Sequence, residues 1–429
     1  MTRGWAIVLL LSVQAASPDP RLLAQEDRTI ILEHADSLVV RTLGGEELRE
    51  LIGNVRIRQG NVRIASTRAL QYPARGIVHL EGDVTMQDDS VTIEAPRAVY
   101  YQDARRAEAL DSVRLNDGHS VLTAGYGEYF MASQIARFRT DVTVLDSTSI
   151  IHADSLRYDR RERVALAEGH VSIESPADRL RIYGGRLDHR MGEGFSRMSL
   201  EPVLVQLDTT EEGRIDTLVV TSAVMESRRD SLRTLEAIDS VRMVRGVLAA
   251  VASHAVFFTE GDSVLLRGAP VLWYERTQVT GDSINIYLHS RRLDRLVVTG
   301  NAFAIAEGEE VIADRFDQLS ADTLVLAFSD GQIRRITAQR RATSVYHLIE
   351  DSLANGLNKA SGDQIVLDFQ DSRVREIRIQ GGVEGVYVPE PVLRERPEEY
   401  RLPGFALRVD RPAFHGVPIP WMNSPFSTR

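Results

Sequence analysis

The residues that could carry chemistry are a set of recurring aspartates. His34-Ala-Asp-Ser-Leu38 reappears as His152-Ala-Asp-Ser-Leu156, with relatives at Gly281-Asp-Ser-Ile284, Ala321-Asp-Thr-Leu324 and Gly362-Asp-Gln-Ile365. A carboxylate near an imidazole suits metal ligation or proton transfer. It also suits a bend, because aspartate is a poor strand residue and a frequent turn residue. The histidine is absent from the other three copies, which favours the bend. The chain contains no H-E-x-x-H pair and no G-x-S-x-G elbow. Asp88-Asp89 reads as a turn, and Gly125-Tyr-Gly-Glu-Tyr-Phe130 is a fragment of a dinucleotide fingerprint in an extended segment rather than ahead of a helix. The expectation is a protein that is not an enzyme, with no catalytic residue, metal or cofactor. Carboxylates gathered by folding leave a polysaccharide hydrolase or lyase as the alternative.

The elements that carry these aspartates repeat. Val55, Val84, Val113, Val142 and Val171 head alternating apolar segments at intervals of 29 residues, and Ile64, Ile93, Leu122 and Ile151 form a second series in the same register. Alternation such as Val84-Thr-Met86 is the period of a strand with one buried face. Polar stretches after Tyr72, Tyr101, Phe130 and Tyr158 read as hairpin turns. Each unit therefore holds two long strands, with a small residue and often an aspartate near the middle, where a bulge or corner folds the strand from one sheet to another. The expected fold is all-β: repeated antiparallel strands in a twisted, folded-sheet jelly roll. A right-handed β-helix is the rival.

The organisation follows. Trp5 to Val13 is an apolar run after Arg3, read as a signal peptide within residues 1–24, cleaved after Ala15, Ala16 or Ala24. Residues 28–205 are the regular repeats, and 206–388 are a second, less regular region with insertions such as the one starting at Leu207. Residues 389–429 are a tail holding eight of the 15 prolines, which cannot be a central strand. Its Phe405, Phe414, Trp421 and Phe426 suggest packing, with the last open sheet edge as one place for it.

Composition narrows the partners. The net charge of −10 argues against nucleic acid. The lack of cysteine excludes disulfides and a lipoprotein anchor in an exported chain. No later segment has the length of a membrane helix. The inward set Val55, Ile57, Val84, Met86, Val113, Leu115, Val142, Val144, Val171 and Ile173 would line an apolar slot if the two sheet faces do not fully close. At ~0.8 kcal/mol per buried CH₂, an acyl chain of about a dozen carbons gains on the order of 9 kcal/mol there before entropy costs. A closed core built from the same residues is an equal reading. The terminal strands, around 29–40 and 365–379, could add a strand from another molecule. Arg105, Arg106, Arg160 and Arg161 could meet lipid phosphates, but their turn positions favour plain solvation.

These x-G-x-V-x-Φ and A-D-x-Φ-x-Y elements, about thirty residues apart in a helix-poor chain, resemble the OstA/LptA-like family. That family includes periplasmic lipopolysaccharide-transport proteins and the N-terminal domain of the outer-membrane translocon LptD. The resemblance covers residues 28–205 well and 215–388 less regularly. It implies a V-shaped jelly roll whose groove holds the acyl chains of lipopolysaccharide or a related multi-acyl lipid. It further implies that the ends join other jelly-roll transport components, or a second copy, into a bridge. The expected location is the periplasm, free or associated with the outer membrane. The alternative of different class is an exported β-solenoid that binds or cleaves polysaccharide.

Overall fold

The computed structural model describes residues 29–209, 215–228, 234–258, 261–307, 315–350, 353–371 and 373–414. The signal peptide, Trp421 and Phe426 therefore lie outside the described residues. By internal contacts the chain divides into two compact units, residues 1–140 and 141–429. This division is one of packing, whereas the expected boundary near 206 was one of repeat regularity.

In the first unit β1 (Ile31–His34) and β2 (Ser37–Leu43) both pair with the long β3 (Glu46–Gln59). A meander follows through β4 (Val62–Tyr72), β5 (Ile77–Asp88), β6 (Val91–Tyr101), β7 (Arg106–Asn116) and β8 (Val121–Phe130), each strand antiparallel to the one before. β9 (Ile135–Leu145) runs across the division between the units. Antiparallel pairing excludes the β-helix, whose coils stack in parallel.

Each of these pairings shifts register at mid-strand. The cause is a pair of consecutive left-handed residues just ahead of the first valine series: Gly53-Asn54, Gly82-Asp83, Asp111-Ser112, Thr140-Asp141 and Gly169-His170. Two such residues opposite one on the neighbouring strand form a bulge that sharply turns the strand. Repeated every 29 residues, the bulges fall into a line of corners that creases the sheet into two leaves. In the first unit one leaf holds 46–52, 68–72, 77–81, 97–101, 106–110 and 126–130; the other holds 55–59, 62–66, 84–88, 91–95, 113–116 and 121–124.

The recurring aspartates serve these corners. The Asp36 amide donates to the Gly53 carbonyl at 3.0 Å, and Asp282 and Asp363 do the same to Gly300 and Gly381, both at 2.8 Å. The carboxylates bind the second left-handed residue: Asp36 accepts from Asn54 Nδ2 at 3.0 Å, Asp282 from Asn301 at 3.1 Å and Asp322 from Arg341 Nε at 2.8 Å, while Asp154 lies 2.8 Å from His170 Nδ1. The bend reading of the motif holds at all five copies.

The second unit keeps this plan while opening some corners into loops. Strand Thr234–Arg245 pairs with Val224–Arg228 on one leaf and Ile215–Thr221 on the other. Strand Leu248–Phe258 likewise pairs with Ser263–Arg267 and Val271–Tyr274. Four long bent strands follow: Arg292–Glu307, Phe316–Ser329, Gln332–Glu350 and Leu353–Gln370. The last pairs with Arg373–Gln380 on one leaf and Glu384–Val388 on the other, mirroring β1 and β2 on β3.

The tail differs from the edge-packing expectation. After Val388 it forms the short helix Glu390–Glu395 and the 3-10 turn Pro397–Tyr400, and Leu393 and Leu402 bury against Phe303, Ile305, Val345 and Leu357. Ala302 and Ala304 take the inward positions of the repeat, so Phe303 and Ile305 point to the outer face. The tail is thus a clasp across an outer face. Arg315 and Glu390 form a bidentate pair beneath it (2.6 and 2.5 Å), and Gln278 exchanges hydrogen bonds with Ala406 and Arg408, each at 2.8 Å. Equivalent outward positions of the first unit carry Arg56, Arg58, Glu94 and Arg114 and need no cover.

Candidate functional site

The interior between the leaves is the candidate site. Apolar and polar residues alternate along each strand, and the corner bulge preserves which face points inward on both sides of the crease. Val55, Ile57, Val84, Met86, Val113, Leu115, Val142 and Val171 are buried, at 4% exposure or less. Val144 and Ile173 are half-buried. Opposite them, the first leaf supplies small residues, Ala98, Ala107, Ala109 and Ala136, between the larger Leu80, Tyr100, Tyr129 and Phe138. Large against small lets two leaves interdigitate. Gly127 is part of that fit, since a Cβ there would crowd the Phe138 ring and lie 3.3 Å from Val113 Cγ1.

In the first unit this interior is filled. A void of about 10 Å³ lies between Met86 and Ile93 of one leaf and Ala107, Ala109, Tyr129 and Phe138 of the other. That is room for roughly one water molecule.

The leaves are joined along the crease by the chain itself. At their free ends they are joined by side chains. Tyr100, fully buried, donates to Gln59 Oε1 at 2.5 Å, and Tyr129 donates to Asp88 Oδ2 at 2.8 Å. In both pairs the tyrosine stands on one leaf and its acceptor on the other, 41 residues apart. Burial pushes the Tyr100 hydroxyl up to about 12, so it stays protonated and donating. The second unit uses other chemistry for the same join. Tyr274 donates to the Gly331 carbonyl and packs edge-on against Phe328, and Arg291 pairs with buried Asp208 at 2.5 Å.

These latches were missed at the level of sequence. Asp88 is not simply a turn residue: it ends β5 facing inward, and Asp89, with φ of 52°, makes the turn. The available signal was the interval, since Gln59 and Asp88, like Tyr100 and Tyr129, stand 29 residues apart.

Elsewhere the polar groups are structural. Arg106 stacks 4.2 Å over Tyr101 and pairs with Glu108 at 2.7 Å, which leaves it in the protein's own network. The Tyr126 hydroxyl is pushed up to about 12 by burial, aided by Glu108 and Glu128. His34 contacts Asp36 at 3.2 Å, and His152 contacts Thr143 at 3.0 Å, each within a corner. Among the described residues no group of three or more His, Asp or Glu could hold a metal ion, and no helix is long and apolar enough to cross a membrane.

The OstA-like protein family matches residues 27–182, the stretch with the most regular corners. That region is OstA-like. The family comprises transport proteins rather than enzymes. Among solved structures, the chain matches LptH of Pseudomonas aeruginosa, described as the LptA-homologous periplasmic component of the conserved lipopolysaccharide transport device. The match has 16% identity and a TM-score of 0.25, and it covers 33% of this chain and 95% of that one. No curated protein matches. The OstA-like region thus ends within the expected 28–205, and residues 206–388 lie beyond it.

Proposed function

We propose that the protein is a periplasmic lipid carrier, exported by the signal peptide in residues 1–24, which passes lipopolysaccharide or a related multi-acyl lipid toward the outer membrane. The observation that carries this is the OstA-like region folded so that its 29-residue valine series faces inward between two leaves. Acyl chains would lie along Val55, Ile57, Val84, Met86, Val113 and Leu115 in the first unit, and along Val142, Val144, Val171 and Ile173 in the second. Val144 and Ile173 are the half-buried members of this set, so they are the positions where a substitution disturbs lipid contact with least damage to the core. Residues 28–205 and 206–388 act as two jelly-roll regions.

Partners dock at the open edges. β2 is hydrogen-bonded to β3 and carries exposed Leu38, Val40 and Leu43, and Glu384–Val388 carries exposed Val386 and Tyr387. Each suits strand addition by another jelly roll or a second copy.

Native mass spectrometry of the chain purified from a lipopolysaccharide-producing host tests this. The expected result is a copurifying multi-acyl lipid that is lost with Val144→Asp. A protein that is lipid-free and takes up no added lipopolysaccharide overturns the reading.

A further inference from the structure

We infer that Tyr100 and Tyr129 are the latches of the lipid-binding interior, whose release admits the acyl chains. The inference rests on the carrier reading above and adds to it how the site opens.

The first unit has a packed interior with space for about one water molecule, so an acyl chain enters only if the leaves part. They cannot part at the crease, where β3 to β8 pass continuously from one leaf to the other. The free ends are the only side at which they can swing. There the leaves are held by Tyr100 on Gln59 and by Tyr129 on Asp88. Both join the free end of one leaf to the free end of the other, and both recur at the period of the repeat.

The chemistry suits a reversible join. The Tyr100–Gln59 bond is between neutral groups, and such a bond shifts a closed-to-open ratio by roughly fivefold. Val62, Met86 and Met131 surround the Asp88–Tyr129 pair. Methionine is unbranched and adapts to an irregular guest, so the side chains under the Tyr129 latch can repack around an entering chain. Opening exchanges two hydrogen bonds and the leaf-to-leaf contacts for contacts with the lipid. The tyrosines therefore set how readily the interior loads.

The test uses the full exported chain with Tyr100→Phe and Tyr129→Phe combined, which removes two hydroxyls and keeps the rings. Tyr101→Phe is the control, because that hydroxyl meets Glu108 on the outer face at 3.2 Å. Two readouts are taken: amide hydrogen exchange over residues 84–93 and 127–131, and the rate of uptake of fluorescent lipopolysaccharide. The double variant should exchange faster in both segments and take up the probe on the order of tenfold faster, with the control unchanged. Unchanged exchange in the double variant overturns the latch. Wild type that loads while the double variant loads at the same rate also overturns it. If neither loads the probe, the carrier reading fails, and hydrogen exchange alone decides whether the tyrosines hold the leaves together.

Discussion

Asp36 lies directly beneath Gly53. A Cβ on that glycine would come within 3.0 Å of the aspartate side chain, and the Gly53 backbone sits at a φ of +76°. Asp154 and Gly169 stand in the same relationship, with a φ of +74°. The strand can take its corner only because one partner has no side chain and the other has a short polar one.

Gly169→Ala should therefore be costly. It combines a left-handed backbone with a clash against Asp154, and a loss of about 2–4 kcal/mol is expected. Urea unfolding checks this. Gly118→Ala is the comparison: its φ is +84°, but its Cβ would meet nothing within 4 Å, so about 1 kcal/mol is expected from the backbone alone.

The candidate lining divides by burial into structural and accessible positions. Val84→Asp places a carboxylate at a position 1% exposed and should unfold the first unit or cost at least ~3 kcal/mol. Val144→Asp, at a half-buried position, should cost under ~1.5 kcal/mol while still weakening lipid uptake. Thermal melts beside lipid-binding curves separate the two. Equal damage to stability at both positions would contradict the burial difference.

The clasp should respond to acid. Arg315, aided by Arg394, holds the Glu390 carboxyl down at about 2, against an ordinary 4.5. A depressed folded value means that this pair's contribution is complete above about pH 4.5 and is lost as the pH falls through about 2. Hydrogen-exchange protection over residues 353–362, taken relative to the intrinsic rate at each pH, should therefore be high at neutral pH and fall through that acid window. Arg315→Met, which removes the main cause, should bring the onset of release to higher pH.

Removing the tail after Val388 should bare Phe303, Ile305, Val345 and Leu357. Increased binding of a hydrophobic dye and concentration-dependent aggregation are expected at pH 7. A truncated chain that stays monomeric and binds no dye would show that the clasp is dispensable for covering that face.

The strands, the corners and the inward valine series were legible because the repeat imposes one pattern many times, and alternation at period two survives small changes of sequence. The role of Asp36 and Asp154 was legible as a bend, though not their partners, since Gly53 and Gly169 are set by pairing between strands. Tyr100 and Tyr129 were not recognised as latches because a hydrogen bond across leaves depends on how far the sheet closes, which no local pattern states. The clasp was hidden for a related reason. Phe303 and Ile305 break the polar-outward rule at their strand, but only the folded chain shows that residues near Leu402 come to cover them.

The clasp also bears on the order of folding. The latches of the first unit close spans of 41 residues, whereas Gln278 meets Ala406 across 128 and Arg411 reaches the Val247 carbonyl across 164. Closing longer spans is entropically slower, and in a chain exported N-terminus first the tail emerges after the strands that it covers. The apolar face of the second unit must therefore wait uncovered while the rest of the chain is already assembled. During that interval the nascent protein has its greatest need of a chaperone.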